Sequence, residues 1–177
     1  MVHHETTVDL AAKADELRAD AAELRDERAA LVERARDEFD DADDAPDDLH
    51  ERYDELTDAI AETLGTAEKY EECVDAWGGG EFVIQELNTD EYAATLDAVS
   101  AEAAEQRRDD GDLPDGFGRT KALEYGVESK PPDAPPRPGE WPPAVTNELW
   151  AELNDLSTPT EVDLGNESLA AAMDDAS

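Results

Sequence analysis

The sequence predicts a mainly α protein. A long antiparallel α-hairpin of coiled-coil type is expected over residues 1–77, and a small α+β module with a short two-stranded β-ribbon over 78–157. Three observations predict this. Leucines recur every seven residues from Leu10 to Leu31. A second apolar stripe, in steps of three and four, runs from Leu49 to Trp77. Three glycines, Gly78, Gly79 and Gly80, then break the helical pattern and hand over to the compact apolar run Phe82-Val83-Ile84.

The first helix is a heptad with Leu10, Leu17, Leu24 and Leu31 at one core position and Ala14, Ala21, Arg28 and Ala35 at the half-steps. Thr6 is the expected N-cap, with Asp9 in the first turn to complement the helix dipole. The pattern continues to about Phe39 and stops in the acidic stretch 40–48. Pro46 cannot sit inside a helix but suits the first turn of the next one. The second stripe reads Leu49, Tyr53, Leu56, Ile60, Leu64, Ala67, Tyr70, Val74 and Trp77. Both helices are on the order of 45–50 Å long at ~1.5 Å per residue. Similar lengths and a short connection favour antiparallel neighbours in one chain. A leucine every seven residues also fits a parallel dimer, and light scattering separates the two. Arg28, at a core-like position, is expected to snorkel.

Gly78–Gly80 ends the second helix and acts as a hinge between arm and module. Residues 81–87 read as a strand, with Phe82 and Ile84 on one face and Val83, Gln85 and Leu87 on the other. Its expected partner is a strand over 120–129, where Ala122, Glu124 and Gly126 alternate with Leu123, Tyr125 and Val127. Such a ribbon is marginal alone and must pack on a helix or another chain. Asn88 with Glu91 fits a capping box and opens a helix over 89–108, with Tyr92, Leu96 and Val99 on one face. A proline-rich, extended spacer covers 130–143. It leads into an amphipathic helix over 142–156 with Val145, Leu149, Trp150, Leu153 and Leu156 on its apolar side. Residues 158–177 read as a mobile acidic tail with a weak helix near 167–173.

The chain carries 49 acidic and 14 basic side chains, a formal net charge of -35. Residues 1–77 hold 26 acidic and 8 basic side chains and residues 78–177 hold 23 and 6, so the charge is an even coat and not an interaction tail. Self-repulsion opposes compaction, and at ~1 M salt, where the Debye length is roughly 3 Å, most of it vanishes. Few lysines, much alanine and many carboxylates resemble proteins of halophilic archaea. High salt is therefore expected to be required for stability, with helicity rising from low to molar KCl. No basic patch meets phosphates, which argues against nucleic acid as a partner. No apolar run of about 18 residues spans a bilayer and no signal peptide is recognisable, so a soluble, cytoplasmic protein is expected.

Catalytic signals are sparse. His3, His4 and His50 lack a ligand-spaced partner. Cys73, the single cysteine, excludes an intrachain disulfide and reads as packing in a helix seam. The glycines match no phosphate-loop pattern. The stretch 110–116 suggests a calcium loop, but Pro114 stands where an oxygen ligand is needed. No catalytic residue, cofactor or metal is expected.

The segment "EFVIQELNTDEYAATLDAV" (81–99) resembles the opening of tail assembly chaperones of tailed viruses, which often start with a strand of the type x-V-x-I-R-E-L-(T/S)-x-x-E running into a helix. The segment "WPPAVTNELWAELNDLS" (141–157) is similar to their closing proline-led helix and its N-x-L-(S/T) turn. The resemblance covers roughly the C-terminal hundred residues; the hairpin at 1–77 is extra. It implies a non-enzymatic protein that binds the tape measure protein or a tail protein during tail assembly. With the halophile-like composition, it points to a virus or provirus of haloarchaea.

The alternatives are a structural virion or tail component, a cellular coiled-coil adaptor, or an enzyme with a site assembled from scattered acids. A homo-oligomer is compatible with the heptads. Phe82, Ile84, Leu87, Tyr92, Trp141, Leu149 and Trp150 are the candidate partner-binding residues, as apolar anchors against a polar background.

Overall fold

A computed structural model describes residues 4–39, 45–106 and 116–157. The order of elements is β1 (Glu5–Asp9), α1 (Leu10–Glu38), α2 (Asp47–Trp77), β2 (Glu81–Gln85), α3 (Thr89–Gln106), α4 (Phe117–Gly126), β3 (Val127–Ser129) and α5 (Pro143–Ser157), with a single 3-10 turn at Pro138–Glu140 before α5. The protein is mainly helical, as expected, and α1 and α2 form the long hairpin. The expected tail, the calcium-like stretch before Gly116 and most of the acidic connection before α2 lie outside the described residues.

The hairpin is antiparallel, because cross-links join early α1 to late α2 and the reverse. Arg18 meets Glu71, and Arg52 Nη2 lies 2.7 Å from Glu27 Oε1. Ala14 and Ala21 of α1 are buried, as are the bulkier Leu56, Ile60 and Tyr70 of α2. Small side chains on one helix let the other approach, so the alanine half-steps are the tight side of the seam. Arg28 does snorkel: its guanidinium lies 5.5 Å from the Tyr53 ring centroid and donates to the Thr57 hydroxyl at 3.2 Å.

The sheet differs from the expected ribbon in two ways. It has three antiparallel strands in the order β1-β2-β3, and the extra strand comes from the N-terminus. The first helix starts not after Thr6 but after Asp9, whose Oδ1 accepts from the Ala11 amide at 2.9 Å. Thr6, Thr7 and Val8 are β-branched and alternate in and out, which suits a half-buried strand. Val8 pairs with Phe82 in register and is buried.

The second difference concerns residues 120–129. Most of this stretch is α4, and only Val127–Ser129 pairs with β2. Its alternating pattern is also a helical one: Ala122, Leu123 and Gly126 share a buried face, and Lys121 bonds Glu124 one turn on at 2.8 Å. Good helix formers at 121–124 decide the ambiguity, and β-branched Val127 begins the strand.

Where the sequence suggests a hinge, Gly78 and Gly80 are packed against their surroundings and tie the turn down. Gly78 caps α2 in the left-handed region at φ 69°. A Cβ on Gly80 would sit 2.8 Å from Val74 Cγ2, and its carbonyl accepts from the Leu10 amide at 3.0 Å. The root of α1, the end of α2 and the start of β2 are thus bonded at one point.

One core runs across that point. It joins Val8, Leu10 and Ala14 to Tyr70, Cys73 and Trp77, and these to Phe82, Ile84 and Leu123 and to Val145, Leu149 and Leu153 of α5. Phe82 is the centre, edge-on to Trp77 at 6.1 Å and to Trp141 at 5.2 Å between ring centroids. The proline-rich spacer is part of this core: Ala134 is buried, the Asp133 amide donates to the Trp77 carbonyl at 3.2 Å, and Trp141 Nε1 donates to the Pro135 carbonyl at 2.9 Å.

Candidate functional site

The seven candidate anchors separate into two groups. Phe82, Ile84 and Leu149 are fully buried and Trp141 is nearly so. These four hold the core together, and their burial leaves a partner nothing to touch. Leu87, Tyr92 and Trp150 instead line one apolar groove.

The groove exists because α3 leans on α4 and stands away from α5. Its start is built as the sequence predicts. Asn88 Oδ1 accepts from the amides of Asp90 and Glu91 at 2.9 and 3.0 Å, and the Asn88 amide donates to Glu91 Oε2 at 2.9 Å. This capping box aims α3 out of the sheet directly after β2. Thr95, the buried polar residue of the helix, directs its hydroxyl to the Glu91 carbonyl at 3.0 Å. Val99 packs over Gly118 of α4.

The inner side of α3 therefore forms one wall, with Tyr92 and Leu96. Trp150 of α5 forms the other and Leu87 lies between them, with buried Ala122 and Leu153 beneath. The trough is open and encloses about 850 Å³. Tyr92 is 56% and Leu96 50% exposed, more than any other large apolar side chain among the described residues.

Its electrostatics depart from the acidic coat of the chain. In a chain with 49 acidic side chains, no carboxylate is among the described residues lining this groove. The one charged lining group is Arg119, which donates through Nη1 to Asn147 Oδ1 at 2.6 Å. An apolar face with few carboxylates repels other acidic proteins less than the acidic coat does.

A second cluster joins the arm to α5. Lys13 Nζ lies 2.8 Å from Glu148 Oε1 and 3.3 Å from Glu152 Oε1, and the Tyr70 hydroxyl lies 3.3 Å from Glu148 Oε2. The hydrogen bond to Glu148 raises the Lys13 pKa, and burial, followed by the Glu148 charge, raises that of Tyr70. Both groups are held in their ordinary neutral-pH form, so the cluster ties elements together and carries no poised acid or base. Cys73 is buried, and desolvation pushes its thiol up, opposite to an activated nucleophile. Among the described residues no group of three or more His, Cys, Asp or Glu gathers as a metal site. None of the described helices is long and apolar enough to cross a membrane.

Sequence reasoning found the Tyr92-Leu96-Val99 stripe but not Arg119, Ala122 and Leu153 as its neighbours. The signal available was the reading of 120–129: as a helix, it brings Arg119 and Ala122 beside α3. Compared with protein families, curated proteins and solved structures, the chain matches none of them.

Proposed function

We propose that the protein is a non-enzymatic, chaperone-like assembly factor of a halophilic tailed virus or provirus. It holds an apolar helix of a partner, such as a tape measure protein, in the groove between α3, α4 and α5. The observation that carries this reading is the groove itself: exposed Tyr92 and Leu96 facing Trp150 across a trough with no carboxylate among its described lining residues. Aromatic side chains beside an apolar trough are the usual anchors of helix-in-groove recognition. The resemblance of 81–99 and 141–157 to tail assembly chaperones supports the same reading, because those two segments build β2, α3 and α5 around the trough. The acidic coat supports work in a high-salt cytoplasm, where the self-repulsion of the chain is screened.

The test is co-expression with the products of the genes that flank its own, followed by purification in molar KCl. A stoichiometric complex is expected with the native chain, and its loss with Leu96→Asp, which puts a carboxylate into the trough. A native chain that captures nothing, or a Leu96→Asp chain that captures as well, overturns the proposal. Recovery of the protein as a fixed component of purified particles would replace it with a structural role.

A further inference from the structure

The arm carries a second surface that departs from the acidic coat. Arg18, Ala22, Arg25, Ala29, Val32 and Arg36 follow one another in steps of four and three along α1. They form one line beside the seam, and the nine acidic residues of α1 all lie off it. Six of the ten arginines of the chain fall between positions 18 and 52. At the distal end of the line, Tyr53 of α2 closes a shallow hollow of about 280 Å³ with Arg25, Arg28, Ala29, Val32 and Arg36, and Glu33 stands at its edge. Tyr53 is 39% exposed there.

We infer that this flank of the arm is a docking surface for an acidic helical segment of another polypeptide. Three features select that occupant. First, the lining of the hollow combines Ala29, Val32 and the Tyr53 ring with three arginines and a single carboxylate, Glu33. That arrangement receives an apolar side chain with a carboxylate beside it. Second, the arginines are partly pre-set. Arg28 is held over Tyr53 and bonded to Thr57. Among the described residues Arg36 pairs with Glu33, and the two side chains are each 71% exposed. Such a pair holds weakly, so an incoming carboxylate replaces it at little cost. Molar salt removes long-range attraction but leaves direct Arg–carboxylate contacts, which act within roughly 3 Å. Third, small Ala22 and Ala29 let a helix backbone come close. A second copy of this chain is the poorer occupant, because a two-fold dimer through this flank sets the arginine-bearing patch against itself.

The proposal is independent of the α3 groove, and its test keeps the two apart. Two fluorescein-labelled helical peptides serve as probes, one of Glu and Ala with a leucine stripe and one with Lys in place of every Glu. Each is titrated with the full chain in molar KCl and followed by anisotropy. The acidic peptide is expected to bind at least about tenfold more tightly than the basic one. The double variant Arg25→Glu, Arg36→Glu is expected to lose that preference while keeping its helicity by circular dichroism. Leu96→Asp is expected to bind like the native chain. No binding of the acidic peptide, equal binding of both peptides, or an unchanged affinity in the double variant overturns the inference. So does a native dimer in sedimentation that the charge reversal dissolves, because the occupant is then a second copy.

Discussion

Helices α3 and α5 are built on the same plan and end in opposite situations. Each starts at a well-marked signal, the Asn88 capping box or Pro143, and each carries one apolar stripe. On α5 the stripe residues Val145, Leu149 and Leu153 are all at 0% exposure, whereas on α3 Tyr92 and Leu96 are half open to solvent. The helices themselves do not make this difference. Trp141, just before α5, is locked against Phe82, and this drives the stripe into the core. Among the described residues no aromatic anchor of this kind holds α3, which follows β2 directly and rests on α4. An amphipathic stripe thus says that a helix has an apolar side. What covers that side depends on elements distant in sequence.

The comparison predicts that the α5 side of the molecule carries the stability. Its largest single test is Phe82→Ala, which opens a cavity between Trp77, Trp141 and the sheet. A loss of about 3–5 kcal/mol is expected, read as a lower urea midpoint in molar KCl. A loss below about 1 kcal/mol, the ordinary value for surface positions and mild changes, would mean that the two halves share the load.

A smaller effect is expected at the contact between the two sides. Gly126 of α4 lies so close to α5 that a Cβ there would sit 2.6 Å from Leu153 Cδ1. Gly126→Ala is expected to cost about 1–3 kcal/mol through overpacking, outweighing the usual gain of ~0.5–1 kcal/mol for alanine over glycine in a helix. Leu153 also lines the groove, so the same change is expected to weaken partner capture. A stability loss with capture unchanged would show that the groove tolerates movement of its α5 wall.

Much of this arrangement was legible in the sequence. The heptads, the Asn88 cap and the proline-led start of α5 all rest on short-range rules, and the structure follows them. The strand at Glu5–Asp9 was missed because its reason is distant: Thr6 and Val8 extend only because Ile84 and Phe82 lie beside them. Residues 120–129 fit a period of two and a helical face equally well, and the crowded contact of Gly126 with Leu153 belongs to the helical answer. The site was half legible for the same reason. Choosing aromatic and aliphatic anchors finds both core and interface, and Phe82 and Tyr92 look alike until the packing is known.

The link between arm and α5 offers a test by pH. Lys13 and Tyr70 both hold their protons more tightly when folded, through the Glu148 bond and through burial respectively. Their contribution is complete below about pH 10, near the values of the unfolded side chains. It is lost as pH rises through the higher folded values, because the folded state then binds more protons than the unfolded one. Melting temperature is therefore expected to fall above about pH 10, and less steeply in Lys13→Met and Tyr70→Phe. Equal slopes in all three proteins would remove this cluster from the account of how the arm is held.

The smallest effect on stability is expected where the proposal about function is strongest. Leu96 is half exposed, so Leu96→Ser removes little packing, and a change within about 0.5 kcal/mol is expected, as at other surface positions. The same substitution in α5, Leu149→Ser, exchanges a fully buried side chain for a polar one, and several kcal/mol are at stake. If α3 is the face kept for a partner, Leu96→Ser separates the two properties: melting is unchanged while capture of the helical partner falls. A large loss of stability at Leu96 would mean that the stripe is already covered within this chain. The contrast between α3 and α5 would then be one of degree, and the groove would no longer be available to a partner.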